Sequence, residues 1–391
     1  MMRLTLNQFI YIQMSAKSKN NIGYRPTWAE VDLGNLVYNF TQIKKMLPPK
    51  VKIMACVKAD AYGHGLIPIA KKLEASGVDY LSVASIDEGI NLRRSGIKSP
   101  ILVLGMILES DIEPLLKYNL SQTVCDEDFA VILNNVAKKN KRQLKVHIKV
   151  DTGMGRIGVL YEDARILIKK IHKLKFLNIE GVFTHLSLAD INRDFTLLQL
   201  RMFNDLIGKL KKDGLHIPLV HAANSLGVAC YRESHFNMVR PGLILYGLSP
   251  DDNLNIGLRP VLSLKTKIVY LKKVPAGYGI SYGYTYVTEK NTTVVNLPLG
   301  YGDGYPRNLS NLAPVLIKGK RFRIAGRVCM DQIMVDVGNL AVKIGDEVTL
   351  IGRQGKNQIT AEELARLSAT IPYEIVCGLG NRIPRVYLTQ V

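Results

Sequence analysis

Residues 51–65 read Val-Lys-Ile-Met-Ala-Cys-Val-Lys-Ala-Asp-Ala-Tyr-Gly-His-Gly. The run Val51–Val57 has the length and composition of a buried strand, and Gly63 and Gly65 punctuate a turn into the next helix. Lys58 stands where that strand ends. A strand-end lysine can simply lead its ammonium along the apolar flank to solvent. Burial, however, lowers the pKa of an amine, and a neutral amine at such a place can attack a carbonyl and form a Schiff base. Position alone leaves both readings open.

Working outward, Asp32 is a suitable N-cap for a helix to Leu47, with Leu36, Phe40, Ile43 and Leu47 at helical spacing and Pro48-Pro49 as its stop. The strand pattern then recurs at Tyr80–Ala84, Ile101–Leu104, Gln122–Cys125, Lys145–Val150, Gly181–His185, Leu219–Ala223 and Asn237–Arg240. With Val51–Val57 these make eight β-like runs, separated by segments with helical signals such as Leu197–Ile207. Such alternation implies βα units on a parallel sheet, and the span fits a (β/α)8 barrel; a doubly wound sheet is the rival. Past the polar turn Pro250-Asp251-Asp252 the pattern changes to short alternating runs, namely Leu262–Leu271, Thr292–Leu297, Val315–Ile317, Phe322–Ile324, Gln332–Val337 and Asp346–Ile351. One helix pair, Ala361–Ser368 and Ile371–Cys377, interrupts them. The expected class is α/β, with an N-terminal TIM-type barrel over 25–252 and a mostly β domain over 253–391. Residues 1–24 read as an extension: Asn7, Gln8 and Gln13 break the apolar stretch a signal peptide needs, and Met14 offers an alternative start.

The composition of the 391 residues, 47% apolar and 22% charged, is that of a globular protein. The net charge of +19 is spread along the chain with no run of five Lys or Arg, which argues against a nucleic-acid footprint and suggests either a basic proteome or attraction of anionic substrates. The five cysteines, Cys56, Cys125, Cys230, Cys329 and Cys377, are dispersed and odd in number, which fits reduced thiols and a cytoplasmic protein. There is no CxxC or HExxH, so no metal is expected, and no apolar run nears the roughly 20 residues of a membrane span.

A barrel carries its function at the carboxyl ends of its strands. Those positions hold Lys58, then Asp151-Thr152-Gly153-Met154-Gly155-Arg156, then His185, Asn224-Ser225 and Arg240-Pro241-Gly242-Leu243. Ser225 and the Gly242-Leu243 backbone follow strands seven and eight, where barrels often cradle a phosphate. Each segment alone also reads as an ordinary turn. Together with Lys58 they favour a phosphorylated aldehyde. Residues 153–158 match GxGxxG, but a dinucleotide fingerprint belongs to the first βαβ unit of its domain, and four strand-like runs precede this one. Arg156 within that loop suits a carboxylate or phosphate. The second domain offers glycine- and tyrosine-rich loops, Gly279–Tyr284, Leu299–Tyr305 and Gly326–Gln332, which read either as packed turns or as site loops.

Taken together, the blocks Val57–Gly65, Asp151–Gly158, Val239–Gly242, Ser281-Tyr282-Gly283 and Cys329-Met330-Asp331 resemble, in order, those of the alanine racemases, pyridoxal-phosphate enzymes of fold type III. The resemblance runs from about Arg25 to Tyr387. It implies a barrel, a C-terminal β domain and a head-to-tail homodimer with shared sites. It implies that Lys58 holds pyridoxal phosphate as an imine, and that Tyr62, His185, Asn224, Ser225, Gly242 and Leu243 line the cofactor. Arg240 would face the pyridine nitrogen. Arg156 would meet the substrate carboxylate, supported by Lys149, a lysine that can be carbamylated in this family. Tyr282 and Met330 would enter from the second subunit, and Tyr301 would line the entrance. One departure is visible: Asn381 stands where the family often has a phosphate-contacting tyrosine before Arg-x-Pro-Arg.

The implied chemistry is interconversion of L- and D-alanine by two bases on opposite faces of the substrate, Lys58 for the D-alanine proton and Tyr282 for the L-alanine proton, supplying D-alanine for peptidoglycan. A phenol titrates near 10 in water, so such a base needs cationic neighbours, for which the His185–Arg240 pair is a candidate. A basic-amino-acid decarboxylase is the runner-up on the same barrel. Decarboxylases of this fold type place a carboxylate at the pyridine nitrogen, where this chain has Arg240. A non-catalytic cofactor-binding protein is a further alternative, and the second-domain loops count against it.

Overall fold

The computed structural model describes residues 24–249, 254 and 256–389. The extension over 1–24 therefore lies almost wholly outside the described residues, as does the turn Pro250–Asp252. The chain forms two compact units, Asn35–Arg259 and a second that joins the segment before Asn35 to Pro260 onward.

Its first strand, β1 (Thr27–Asp32), leads into helix α1 (Leu33–Met46). The barrel unit then alternates β2 (Lys52–Cys56), α2 (Leu66–Ala75), β3 (Tyr80–Val83), α3 (Ile86–Arg94), β4 (Ile101–Val103), α4 (Ile112–Lys117) and β5 (Ser121–Val124). It continues through α5 (Glu127–Lys139), β6 (Leu144–Asp151), the two-residue β7 (Val159–Leu160), α6 (Tyr161–His172), β8 (Leu177–Phe183), α7 (Arg193–Lys212), β9 (Leu219–His221), α8 (Ser225–Cys230) and β10 (Met238–Val239). The strands pair in the order β5-β4-β3-β2-β10-β9-β8-β6, and β5 pairs with β6, which closes an all-parallel ring of eight. All eight strands read from the sequence are present, and ring closure excludes the doubly wound alternative. Met54, Tyr80, Leu102, Leu219 and Met238, one each from β2, β3, β4, β9 and β10, form one buried cluster, a layer of barrel filling. Side-chain caps start several of the outer helices, Ser85 on α3, Asp126 on α5 and Asn192 on α7 among them.

The second unit holds β11 (Leu262–Lys267), β12 (Tyr270–Val274), β13 (Gly279–Ile280), β14 (Tyr286–Val287), β15 (Thr292–Leu297), β16 (Pro314–Ile317) and β17 (Lys320–Arg323). It ends with β18 (Ile333–Gly338), β19 (Glu347–Gln354), β20 (Asn357–Ile359), α9 (Ala361–Leu367), α10 (Pro372–Cys377) and β21 (Arg385–Leu388). Its main sheet runs β17-β16-β19-β11-β1-β21, and β12-β15-β18 form a second. The run read as one strand over Leu262–Leu271 is broken. At Ile268-Val269 the backbone switches partners, Ile268 N–H donating to Asp346 O and Val269 N–H to Asn296 O, so that β11 serves one sheet and β12 the other. The domain division read from the sequence also changes. Residues 27–32, assigned there to the barrel, pair antiparallel with β11 and parallel with β21, and Ala29 and Val31 in this strand are fully buried.

Candidate active site

The barrel rim gathers the residues singled out above. Lys58 follows β2 by two positions and opens a turn that is left-handed. Ala59, Asp60 and Ala61 all have φ +53°, and Tyr62 has +55°. L-residues pay about 1–2 kcal/mol each for this conformation, so the turn persists only because its surroundings fix it. Glu88 does so, accepting from Ala59 N–H at 2.6 Å and from Ala84 N–H at 2.8 Å, and Asp60 accepts from Leu66 N–H at 2.7 Å. Tyr62 is thereby turned inward and buried, its ring 4.9 Å from that of Tyr246. A Cβ at Gly242 would lie 2.4 Å from the Tyr62 hydroxyl, so glycine is required there. Ser225, capped by Asn224 through Gly227 N–H at 2.9 Å, accepts from Gly242 N–H at 3.1 Å. Tyr62, Ser225, Gly242 and the turn beginning at Leu243 thus form one cradle of hydroxyls and backbone N–H groups. That is the donor set a phosphate group needs.

Arg240 lies buried beside this cradle. Its guanidinium donates to Thr184 O at 2.7 Å, Ala222 O at 3.0 Å and His221 Nδ1 at 2.7 Å, and stands 3.4 Å from His185 Nδ1. Burial lowers it to about 10, which leaves it charged at neutral pH. His185 is driven well below the usual histidine value by burial and then by the positive charges of Arg240, Lys149, Arg156 and Lys58. The four cations come from three strands of the barrel, Lys58 after β2, Lys149 in β6 with Arg156 in the loop after it, and Arg240 after β10, and all act on one imidazole. The same fact removes His185 from the candidate cationic pair, since it is neutral at physiological pH. Lys149 is buried, and burial followed by Arg156 and Arg240 lowers it to about 8.

The Gly153–Gly158 loop does not present its N–H groups outward as a dinucleotide fingerprint would. Its N–H groups at Gly153, Met154 and Gly155 all donate to the carboxylate of Asp151, at 2.8, 2.8 and 2.9 Å. The loop is a cap folded round its own aspartate, and it leaves Arg156 exposed. Sequence reading missed His147, His221 and Glu180, which lie inside apolar runs, and Gln199, which donates to His185 O at 3.2 Å and Thr152 Oγ1 at 3.3 Å.

In the second unit, Tyr282, Tyr301 and Met330 lie on hydrogen-bonded loops. Tyr301 N–H donates to Cys329 O and Gly302 N–H to Met330 O, at 3.0 and 2.8 Å. Ser281 Oγ donates to Arg327 O at 2.8 Å, which ties the Tyr282 turn to the same segment. Tyr282 and Met330 are 71% and 54% exposed in the isolated chain. Arg382 pairs with Asp331 at 2.7 Å, and the exposed Asn381 precedes it.

Two family models cover nearly all of this architecture: the alanine racemase N-terminal domain over residues 31–250 and the alanine racemase C-terminal domain over 261–387. The chain belongs to the alanine racemase family. It is 50% identical over 371 residues to the alanine racemase of Halothermothrix orenii, covering 94% of this chain and 98% of that one. It is 46% identical to that of Carboxydothermus hydrogenoformans, covering 93% and 100%. Among solved structures, the alanine racemase of Clostridium difficile 630 superposes with a TM-score of 0.88 at 41% identity, covering 93% of this chain and 96% of that one. Alanine racemases are pyridoxal-phosphate-dependent isomerases, and the barrel and the β domain agree with that family.

Proposed function

We propose that the protein racemises alanine by a two-base mechanism with pyridoxal 5'-phosphate, as a homodimer in the cytoplasm, and supplies D-alanine for peptidoglycan. The observation that carries this reading is Arg240: a guanidinium held by three donated hydrogen bonds on the rim that also bears Lys58 and the Ser225–Gly242 cradle. The cradle fits a phosphate, the strand-end amine fits an aldehyde, and arginine offers only donors. When bound, pyridoxal phosphate supplies the conjugated ring into which the electrons of the broken Cα–H bond delocalise. Arg240 would hold the cofactor's ring nitrogen as a donor that keeps its own proton, which would leave the ring a weaker electron sink and disfavour decarboxylation and transamination. Tyr62, Ser225 and the backbone of Gly242 and Leu243 hold the phosphate, with Asn224 shaping the Ser225 turn and His185 beside Arg240. Arg156 holds the substrate carboxylate.

Lys58 Nζ moves a proton on one face of the substrate. The partner subunit's Tyr282 moves one on the other, and the partner subunit's Met330 joins it. The high exposure of these residues in one chain supports a role completed by a second. Tyr301 narrows the entrance and so limits the side chains admitted. The reading is tested by incubating the purified protein with pyridoxal phosphate and a panel of L-amino acids, coupled to D-amino-acid oxidase. Turnover should be greatest with L-alanine. Carbon dioxide release from lysine or arginine, with no D-alanine formed, would move the assignment to a decarboxylase.

Lys149 is the proposed carbamylation site. Its amine is lowered to about 8 by burial and by Arg156 and Arg240; the ammonium loses one proton to become the neutral amine, and addition of carbon dioxide then releases a second, so that a repelled cation is replaced by an anion. Because only the free amine reacts, the carbamate should build up as pH rises through about 8 and disappear on acidification. Carbon-13 NMR after exposure to labelled bicarbonate should show one carbamate resonance that Lys149→Arg removes; its absence from the native protein at high pH would count against the modification.

A further inference from the structure

Behind Arg240 a line of buried side chains crosses the interior of the barrel unit. Arg240 Nη1 donates to His221 Nδ1 at 2.7 Å, His221 Nε2 lies 2.9 Å from His147 Nδ1, and His147 Nε2 lies 3.2 Å from Glu180 Oε2. In that order the four residues are 4%, 0%, 0% and 9% exposed. A guanidinium can only donate, so one proton arrangement satisfies the line. His221 is bare at Nδ1 and donates from Nε2. His147 is bare at Nδ1 and donates from Nε2 to the carboxylate.

The terminal acceptor is built to be an anion. Burial alone would raise the Glu180 carboxyl, but hydrogen bonds from His147, Lys145 and Tyr80 outweigh it and hold the group well below the usual carboxylate range. Lys145 Nζ lies 2.9 Å from Oε1, and Ser121 donates to Oε2 at 2.9 Å. Both histidines are lowered, first by burial, and so are neutral as the line requires.

The backbone is adapted to the line as well. Val146 pairs with Ile179 and His147 with Gly181, so Glu180 is the extra residue of a bulge in β8. Bulges re-aim a side chain at the expense of the ladder. A Cβ at Gly181 would lie 2.3 Å from His147 Nδ1, so glycine leaves the space the imidazole fills. The Phe183 ring stacks on His221 at 4.8 Å and fixes its plane.

We propose that Glu180 is a positioning residue for Arg240, acting through His147 and His221 to fix the tautomers that leave His221 Nδ1 able to hold the guanidinium at the cofactor ring. This rests on the functional reading above, in which Arg240 faces that ring. The imidazole tautomer is set by the hydrogen bond its other nitrogen makes. Without an acceptor at residue 180, His147 gains by moving its proton to Nδ1. That proton would oppose His221 Nε2–H, and His221 would then carry its own proton at Nδ1, against Arg240.

The test is nitrogen-15 NMR of histidine-labelled protein, with and without pyridoxal phosphate, on the native chain, Glu180→Gln and Glu180→Met. Native His221 and His147 should both be protonated at Nε2. Glu180→Gln keeps an acceptor oxygen and should keep both tautomers, with kcat within about threefold. Glu180→Met, similar in size with no oxygen acceptor, should show Nδ1-protonated His221 and lose about tenfold in kcat, as disrupted outer-shell partners do. Native His221 protonated at Nδ1, unchanged tautomers in Glu180→Met, or equal losses in the two variants would each overturn the proposal. If Glu180→Met does not fold, the native tautomers and Glu180→Gln still decide it. A native protein that gains no visible absorbance with pyridoxal phosphate would overturn the functional reading, and the proposal with it. Normal absorbance with the wrong tautomer would overturn the relay alone.

Discussion

Replacing Lys58 by alanine should abolish the long-wavelength absorbance of lysine-bound pyridoxal phosphate and lower racemisation by at least about 10³-fold, in the upper range of a lost acid–base group. Two proposed roles would end together in this variant, since the amine is assigned both to hold the cofactor and to move a proton. The loss should be chemical and not structural. Lys58 is only partly buried, and the turn that follows it is fixed by Glu88 and Asp60 through backbone N–H groups that alanine retains. The melting temperature should therefore change little. Phosphate binding at the Ser225–Gly242 cradle should survive, so the variant should still take up cofactor non-covalently, detectable by equilibrium dialysis. Retention of the visible absorbance in Lys58→Ala would remove the Schiff-base assignment.

Tyr282→Ala should separate the two faces of the reaction. Exchange of the L-alanine α-proton with deuterated solvent should fall by roughly 10²–10⁴-fold, while exchange from D-alanine falls far less. Deuterium uptake measured by mass spectrometry from each enantiomer, before racemisation proceeds, gives both numbers from one preparation. Tyr282 is exposed on its own unit and its loop is tied down by Ser281 and Arg327, so the substitution leaves no cavity to destabilise the fold. Equal suppression from both enantiomers would rule out a division of labour between Lys58 and Tyr282.

Much of this was legible in the chain because the relevant signals are local. Eight short apolar runs separated by amphipathic segments specify a barrel, and strand ends then indicate where polar residues converge. What stayed hidden depends on distance along the chain or on strain. Strand β1 has no sequence mark of its remote partners β11 and β21. The left-handed turn after Lys58 is written in Ala, Asp, Ala and Tyr, none of which announces a positive φ as glycine would. His147 and Glu180 lie inside strands β6 and β8, where a polar residue reads as the solvent face; nothing local marks the bulge at Glu180 or the space that Gly181 leaves for the His147 ring.

The placement of β1 bears on how the chain is made. The strand is made before every other described element, yet its neighbours in the sheet begin at Leu262 and Arg385. Some 230 residues must be synthesised before the first of these exists, by subtraction of Asp32 from Leu262. The barrel, contiguous in sequence, is a guest inserted into a host domain that is opened by the first strand and sealed by the last. A nascent chain can therefore close the guest early and must keep Trp28, Ala29 and Val31 waiting, side chains that are buried in the finished sheet. Loss of residues 27–32 would injure the domain completed by β11 and β21, and separate expression of the two units would succeed only if this strand travels with the second.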